Sequence, residues 1–226
     1  TLLPYTQSRE FGNFILVDRL TFRTVGAGMI RHSLRRGENV VSQKYEVNKA
    51  ARALQKNQKA QVIWLTGLSG SGKSTIANGV ERRIHALGMH TYVLDGDNLR
   101  MGLNSDLGFT PEDRAENVRR ISEVAKVLVD AGLIVLVAVI SPFEVDRQRA
   151  KSIFEDGEFL EIFIDTPVEI CRSRDPKGLY KKSAAGEIPN FTGVGQDYER
   201  PSHPDLVIDG TAPIDESVEK ILKILL

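Results

Sequence analysis

From Val62 onward short apolar runs alternate with stretches of helical spacing, whereas the chain before that point has a different texture. Val62-Ile63-Trp64-Leu65-Thr66 reads as a short buried strand, and a helix is expected from Lys73 to about Leu87, with Gly88 in the C′ position that favours a left-handed residue. His90–Leu94 reads as a second strand. Thr110-Pro111-Glu112-Asp113 has the features of a helix start: an N-cap threonine, a proline at the first helical position and acids facing the positive end of the dipole. Val118, Ile121, Val124, Ala125 and Leu128 then recur at three- and four-residue steps, so one stripe of that helix faces a core until Ala131-Gly132 ends it. Leu133–Ile140, Leu160–Ile164 and Leu206–Ile208 supply three more strands, and Glu216–Leu226 a final amphipathic helix. Strands alternating with helices in this way predict an α/β fold, a parallel five-stranded sheet with helices on both faces, over residues 62–226.

Residues 1–37 differ. Phe14-Ile15-Leu16-Val17 is β-like, Asp18-Arg19 a turn, and the β-prone residues that follow run to Val25 before Gly26-Ala27-Gly28 breaks the pattern. Two short strands do not bury a core by themselves. Residues 38–61 are polar and read as a linker and lead-in helix, the helix from Val47 to Gln55 with Val47, Ala51 and Leu54 on one side.

Composition narrows the function classes. At 226 residues there is room for one sizeable domain and an appendage. Lys plus Arg and Asp plus Glu balance at 30 each, so no overall field draws nucleic acid or an anionic membrane, and any anion site must come from local placement. The lone Cys171 excludes an intrachain disulfide and a cysteine-built metal site, which suits a reducing, cytoplasmic setting. His32, His85, His90 and His203 show no short ligand spacing. The opening residues are neither basic nor apolar enough for a signal peptide, and Leu133–Ile140 is too short to cross a bilayer. Because the chain starts on Thr, a piece of a longer polypeptide is expected.

The chemistry begins where the first strand runs into Gly67-Leu68-Ser69-Gly70-Ser71-Gly72-Lys73-Ser74, which satisfies G-x-x-x-x-G-K-[ST]. The glycines let backbone N–H groups curl around phosphate oxygens, and the helix opening at Lys73 adds its positive end. Lys73 would reach the β- and γ-phosphates of ATP, and the Ser74 hydroxyl would ligate Mg²⁺. A guanine reader is disfavoured, because the only Asn-Lys pair, Asn48-Lys49, precedes this loop and lacks the following Asp. After the second strand comes Asp95-Gly96-Asp97, at the sheet edge where ligands bind. One acid there would serve the attacking hydroxyl or the metal and the other orient the substrate, against the plainer alternative of an Asx turn capping the next helix. Asp95 is the choice for the catalytic and metal-side carboxylate, because it comes first after the strand. Arg100 and Arg114 flank a loop holding Phe109, a combination suited to a flat base with an anionic tail; Arg119 and Arg120 fit a solvated face equally well.

These residues resemble one family. Gly67–Thr75, Asp95 to Asn104, Leu107-Gly108-Phe109, Glu112 to Arg120, Ile140-Ser141-Pro142-Phe143, Arg174 to Tyr180, Gly186-Glu187-Ile188 and Phe191-Thr192-Gly193 look like adenylyl-sulfate kinase, over roughly residues 38–226. The resemblance implies transfer of the γ-phosphoryl of MgATP to the ribose 3′-hydroxyl of adenosine 5′-phosphosulfate (APS), giving 3′-phosphoadenosine 5′-phosphosulfate (PAPS) and ADP, by a dimeric enzyme. It assigns Gly67, Gly70, Ser71, Gly72, Lys73, Ser74, Thr75, Arg174 and Pro213 to ATP. Asp97, Asn98, Arg100, Phe109, Arg114, Asn117, Ile140, Ser141, Lys177, Asn190 and Phe191 fall at its APS positions, although Asn190 stands where the family commonly has Gly. Phe109 and Phe191 would sandwich the adenine. Ser141 matches a serine proposed in the family as a phosphorylated intermediate, yet hydrogen bonding to substrate is favoured, because in-line transfer needs no covalent step. The glycine- and lysine-rich segment 175–198 would form a lid over both nucleotides. Residues 11–30 resemble the end of a β-barrel domain in the GTPase-type subunit of bacterial sulfate adenylyltransferase, which implies a fusion to that enzyme. A kinase for another small hydroxyl compound and a nucleotide-binding regulatory module are the competing readings.

Overall fold

The computed structural model describes residues 13–19, 21–29, 41, 43–186 and 191–225. It divides into two units, Thr1–Tyr45 and Glu46–Leu226. In the first, β1 (Asn13–Val17) pairs antiparallel with β2 (Thr24–Met29), Asn13 lying opposite Met29. Asp18 closes the turn, its Oδ1 accepting from the Thr21 N–H and hydroxyl, both at 2.7 Å. The described residues of this unit contain these two paired strands, and the barrel that the resemblance implied is not formed by them alone.

In the second unit α1 (Lys49–Gln55) is capped by Asn48, whose side chain accepts from the Ala51 N–H. It is fastened to its own domain rather than hanging as a tether: Arg52 pairs with Asp130 at 2.6 Å and Lys49 with Glu158 at 2.6 Å. Five parallel strands follow: β3 (Gln61–Thr66), β4 (Thr91–Asp95), β5 (Ile134–Ala138), β6 (Phe159–Asp165) and β7 (Leu206–Asp209), in the order β4-β5-β3-β6-β7. The pleat of the central strand divides the core. Ile63 and Leu65 pack with Ile76, Val80 and Ile84 of α2 (Lys73–Ala86) and with Val218 and Ile221 of α8 (Ile214–Leu225). Val62 and Trp64 pack on the other face with Val118, Ile121 and Ala125 of α4 (Pro111–Asp130). The expected cap of α4 is present, the Thr110 hydroxyl accepting from the Asp113 N–H at 3.2 Å with Pro111 at the first position.

Four short helices complete the unit: α3 (Gly96–Arg100), α5 (Glu144–Ser152), α6 (Val168–Arg174) and α7 (Leu179–Ala184). None announces itself by apolar periodicity; what α5 buries is Asp146, Arg147 and Ala150. The apolar run Leu133–Ile140 yields a shorter strand than expected, because the chain turns at Ser141, a non-glycine residue at φ +40°. β3 is the switch point of the sheet: β4, the next strand in sequence, sits two places away beyond β5, while β6 lies on the opposite side. Ligands of open parallel sheets bind at the carboxyl ends beside such a point.

Candidate active site

Two glycines set the shape of the loop after β3. Gly67 sits at φ +148°, and a Cβ there would meet the Ile164 carbonyl at 2.7 Å; at Gly70, φ +77°, it would lie 2.9 Å from the Cys171 carbonyl of α6. The loop therefore rests directly on β6 and α6, an approach open only to residues without a side chain. α6 also supplies Arg174, whose guanidinium donates to the carbonyls of Gly70 and Ser71 at 3.3 Å and of Gly210 at 2.8 Å. Lys73, at the start of α2, is 8% exposed, and its ammonium donates to the carbonyls of Gly67 (2.9 Å) and Leu68 (2.7 Å). Burial penalises its charge and lowers its pKa to about 8.

The carboxylate at the end of β4 faces this loop. Asp95 Oδ2 accepts from the Ser74 hydroxyl at 2.5 Å, while Oδ1 accepts from the Asp97 N–H at 2.9 Å and so caps α3. The Asx cap that the sequence offered as the plainer alternative is therefore present on one oxygen, while the other is turned to the phosphate loop through Ser74. Asp97, two residues on, forms an ion pair with Lys177. Among the described residues no group of three or more His, Cys, Asp or Glu side chains converges.

Opposite lies a basic, aromatic wall. Arg100 donates to the carbonyls of Leu107 (2.9 Å) and Gly108 (3.0 Å), and its guanidinium stands 4.5 Å from the centre of the Phe109 ring. Arg114, 6% exposed, donates to the Phe109 carbonyl at 3.1 Å and lies 5.5 Å from the same ring. Burial, then the neighbouring Arg100, lowers the Arg114 pKa to about 10. Arg119 and Arg120 turn away to other work: both pair with Glu116, and Arg120 also holds Asp106 and the Leu103 carbonyl, bracing the loop that carries Phe109. Asn117 accepts from the amide of Asn104, which is wholly buried.

Ser141 closes the floor. Its hydroxyl accepts from the Trp64 indole N–H at 3.1 Å and donates to the Thr66 hydroxyl at 2.9 Å, so both of its hydrogen-bonding directions are engaged. Phe191 is buried at 5% exposure and meets Tyr180 edge to face, ring centres 4.9 Å apart. Tyr180 in turn donates to the Ser69 carbonyl, linking α7 to the phosphate loop.

These groups surround one cavity of about 940 Å³. Its lining includes Gly70, Ser71, Gly72, Lys73, Ser74, Thr75 and Arg174 around the phosphate loop, and Asp95 and Asp97 after β4. It also includes Arg100, Phe109, Arg114, Asn117, Ile140, Ser141, Lys177 and Phe191. Three expected residues are not on its wall: Gly67 lies beneath the loop, Asn98 is exposed on α3, and Pro213 is exposed between Ala212 and Ile214, which do line it. Asn190 lies outside the described residues. Asn104 and Tyr180, read from sequence only as parts of longer strings, prove to be supports of the wall; no single-position signal marks either.

Residues 59–209 match the adenylylsulphate kinase family. An adenylyl-sulfate kinase of Marinobacter nauticus is 53% identical over 188 residues, 83% of this chain and 94% of that protein. A bifunctional enzyme NodQ of Azospirillum brasilense is 56% identical over 223 residues, 98% of this chain but 36% of that protein, so the chain spans about a third of the length of such bifunctional relatives. A solved structure of the Mycobacterium tuberculosis APS kinase CysC in complex with AMPPNP and APS superposes with a TM-score of 0.72 at 50% identity, covering 74% of this chain and 98% of that one.

Proposed function

This chain belongs to the adenylylsulphate kinase family, and we propose that its second unit transfers the γ-phosphoryl of MgATP to the ribose 3′-hydroxyl of APS, forming PAPS and ADP. One observation carries this reading: the phosphate loop and the Arg100–Phe109–Arg114 wall share a single cavity, with Asp95 between them. ATP takes the loop end, its phosphates on the loop N–H groups and the Lys73 ammonium. Arg174 acts on ATP through the loop carbonyls it clasps rather than from open solvent. APS takes the other end, its adenine against Phe109 and Phe191 and its anionic tail near Arg100 and Arg114. Asp97, Asn117 and Lys177 orient the sugar, and Ile140 and Ser141 offer main chain, since the Ser141 hydroxyl is engaged elsewhere.

Asp95 accepts the proton of the attacking hydroxyl. Ser74 Oγ and Asp95 Oδ2 are hard oxygen donors 2.5 Å apart at the mouth of the loop. They suit Mg²⁺, which is held by one or two side chains plus phosphates and water rather than by a protein cage. When bound, the ion would neutralise charge on the transferring phosphoryl group. The enzyme is further proposed to be a cytoplasmic homodimer, joined in its polypeptide or assembly to sulfate adenylyltransferase subunits, a reading supported by relatives that are bifunctional and about three times as long as this chain. No helix of the described residues is long and apolar enough to cross a membrane.

ADP release measured with APS against a panel of nucleosides and sugar acids tests the substrate. APS alone is expected to stimulate it, and a flat response to APS would remove the reading. An Asp95→Ala variant is expected to bind both nucleotides yet lose about 10²-fold or more in kcat; turnover at the wild-type rate would cancel the role given to Asp95.

A further inference from the structure

We infer that Arg147 is a positioning residue for the acceptor end of the cavity: its buried guanidinium locks the Ser141 wall to the segment that returns from Phe191. This rests on the kinase reading above, because it names what holds the proposed APS site in shape. Arg147 lies on α5 with its side chain fully buried, a costly place for a charge unless its donors are used. Both terminal nitrogens use theirs: Nη1 donates to the Ser141 carbonyl at 2.7 Å and Nη2 to the Glu199 carbonyl at 2.7 Å, with Nη2 also paired with Glu144, while Nε faces Glu161 Oε1 at 2.8 Å as an ion pair without hydrogen-bond geometry. The plane of the guanidinium therefore touches three elements: the turn after β5, the middle of β6, and residues 198–200.

Those elements are tied again around it. The Glu199 N–H donates to the Pro142 carbonyl at 2.9 Å, and Glu199 Oε2 accepts from the Glu144 N–H at 2.6 Å. The Tyr198 hydroxyl lies 2.9 Å from the Thr66 hydroxyl, the same group that accepts from Ser141, and the Tyr198 ring lies 5.7 Å from the Arg147 guanidinium. At the centre stands Ser141 in the left-handed region at φ +40°, a conformation that persists in a side-chain-bearing residue only where its surroundings impose it. Its carbonyl is held by Arg147 and its hydroxyl by Trp64 and Thr66. Filling the space alone would not need a charge: apolar residues of similar volume replace buried ion pairs with little loss of stability, whereas they cannot donate to two main-chain oxygens at once. Both segments so joined carry acceptor-side wall, Ile140 and Ser141 on one and Phe191 on the other. None of these contacts reaches the phosphate loop.

The test is a double variant, Arg147→Met with Glu161→Met, in the full chain. It removes both charges of the Arg147–Glu161 pair and keeps volume, and it leaves the Ser141 and Glu199 carbonyls without their shared donor, which is the loss the experiment reads. KM for APS is expected to rise about tenfold while KM for ATP stays within about twofold, since a misplacement of the order of 1 Å already costs that much or more. The thermal midpoint is expected to fall by a few degrees, because two main-chain oxygens lose their donor, with the chain still folded. A folded double variant with an unchanged KM for APS, or one in which both KM values rise together, would overturn the assignment. Should the double variant not fold, Tyr198→Phe loosens the same tie by one hydroxyl. It should raise KM for APS about two- to fivefold without touching ATP, and no change in it counts equally against the idea. If the wild-type chain shows no APS-dependent turnover, the function reading fails; if it turns over and these variants match it, only the role of Arg147 does.

Discussion

Raising the pH from 7 to 9 should switch off the charge of Lys73 and with it most of the affinity for ATP. An ordinary lysine, with its pKa near 10.5, stays protonated across that range; here burial lowers the value to about 8. The protonated fraction then falls from about nine-tenths at pH 7 to about one-tenth at pH 9, so affinity that requires the ammonium weakens about tenfold. The sign follows from which form binds. The bound polyphosphate stabilises the cation, so affinity is full below pH 8 and is lost as pH rises through that value, with proton uptake on binding. Cys171, the next influence on Lys73, does not confuse the measurement, because its own burial keeps the thiol neutral to higher pH than usual. Calorimetric titration of MgATP at pH 7, 8 and 9, in buffers of differing ionisation enthalpy, reads both the affinity and the proton uptake. A Lys73→Arg control, which cannot deprotonate, should show a flat profile whatever its absolute affinity. Wild-type affinity that is flat from pH 7 to 9, or that falls equally in the arginine variant, would refute the argument.

Two other expectations concern separate parts of the site. Phe109→Ala removes the aromatic face held between Arg100 and Arg114; losing about 1–3 kcal/mol of stacking should raise KM for APS about five- to 150-fold with little change for ATP, measured by steady-state kinetics. Gly70→Ala forces a side chain into a left-handed conformation against the Cys171 carbonyl, which should cost about 1–2 kcal/mol and lower the thermal midpoint by about 2–8 °C, read by differential scanning fluorimetry.

What could be read from residues alone follows from where the burial is apolar. Val62–Thr66 and the stripe Val118–Leu128 are legible because hydrophobic spacing and cap chemistry record their environment, and the phosphate loop because its backbone path demands glycines at fixed intervals. α5 is invisible to the same reading: of its residues Val145 and Ala150 are the apolar ones, and Val145 is exposed while Asp146 and Arg147 are buried. Glu161 is hidden for the converse reason, a buried carboxylate inside a strand that otherwise reads as apolar. Burial that is satisfied by distant partners leaves no local trace, since Arg147 meets its carbonyls only after the sheet has brought residues 141, 161 and 199 together. Asn98 and Pro213 show a different limit: a matching string does not say which way a side chain points, and both stand exposed, off the cavity wall.

The clasp of Arg174 on Gly70, Ser71 and Gly210, together with the contact of Gly70 against Cys171, bears on how such enzymes can be rebuilt. The phosphate loop is not a portable cassette. Its curvature is moulded from below by a helix a hundred residues downstream in the chain, so a chimera that exchanges only the G-x-x-x-x-G-K-[ST] stretch between kinases inherits a mould made for another casting. Breeding new donor preferences into this scaffold calls for the loop, α6 and the turn at Gly210 to be moved as one inheritance.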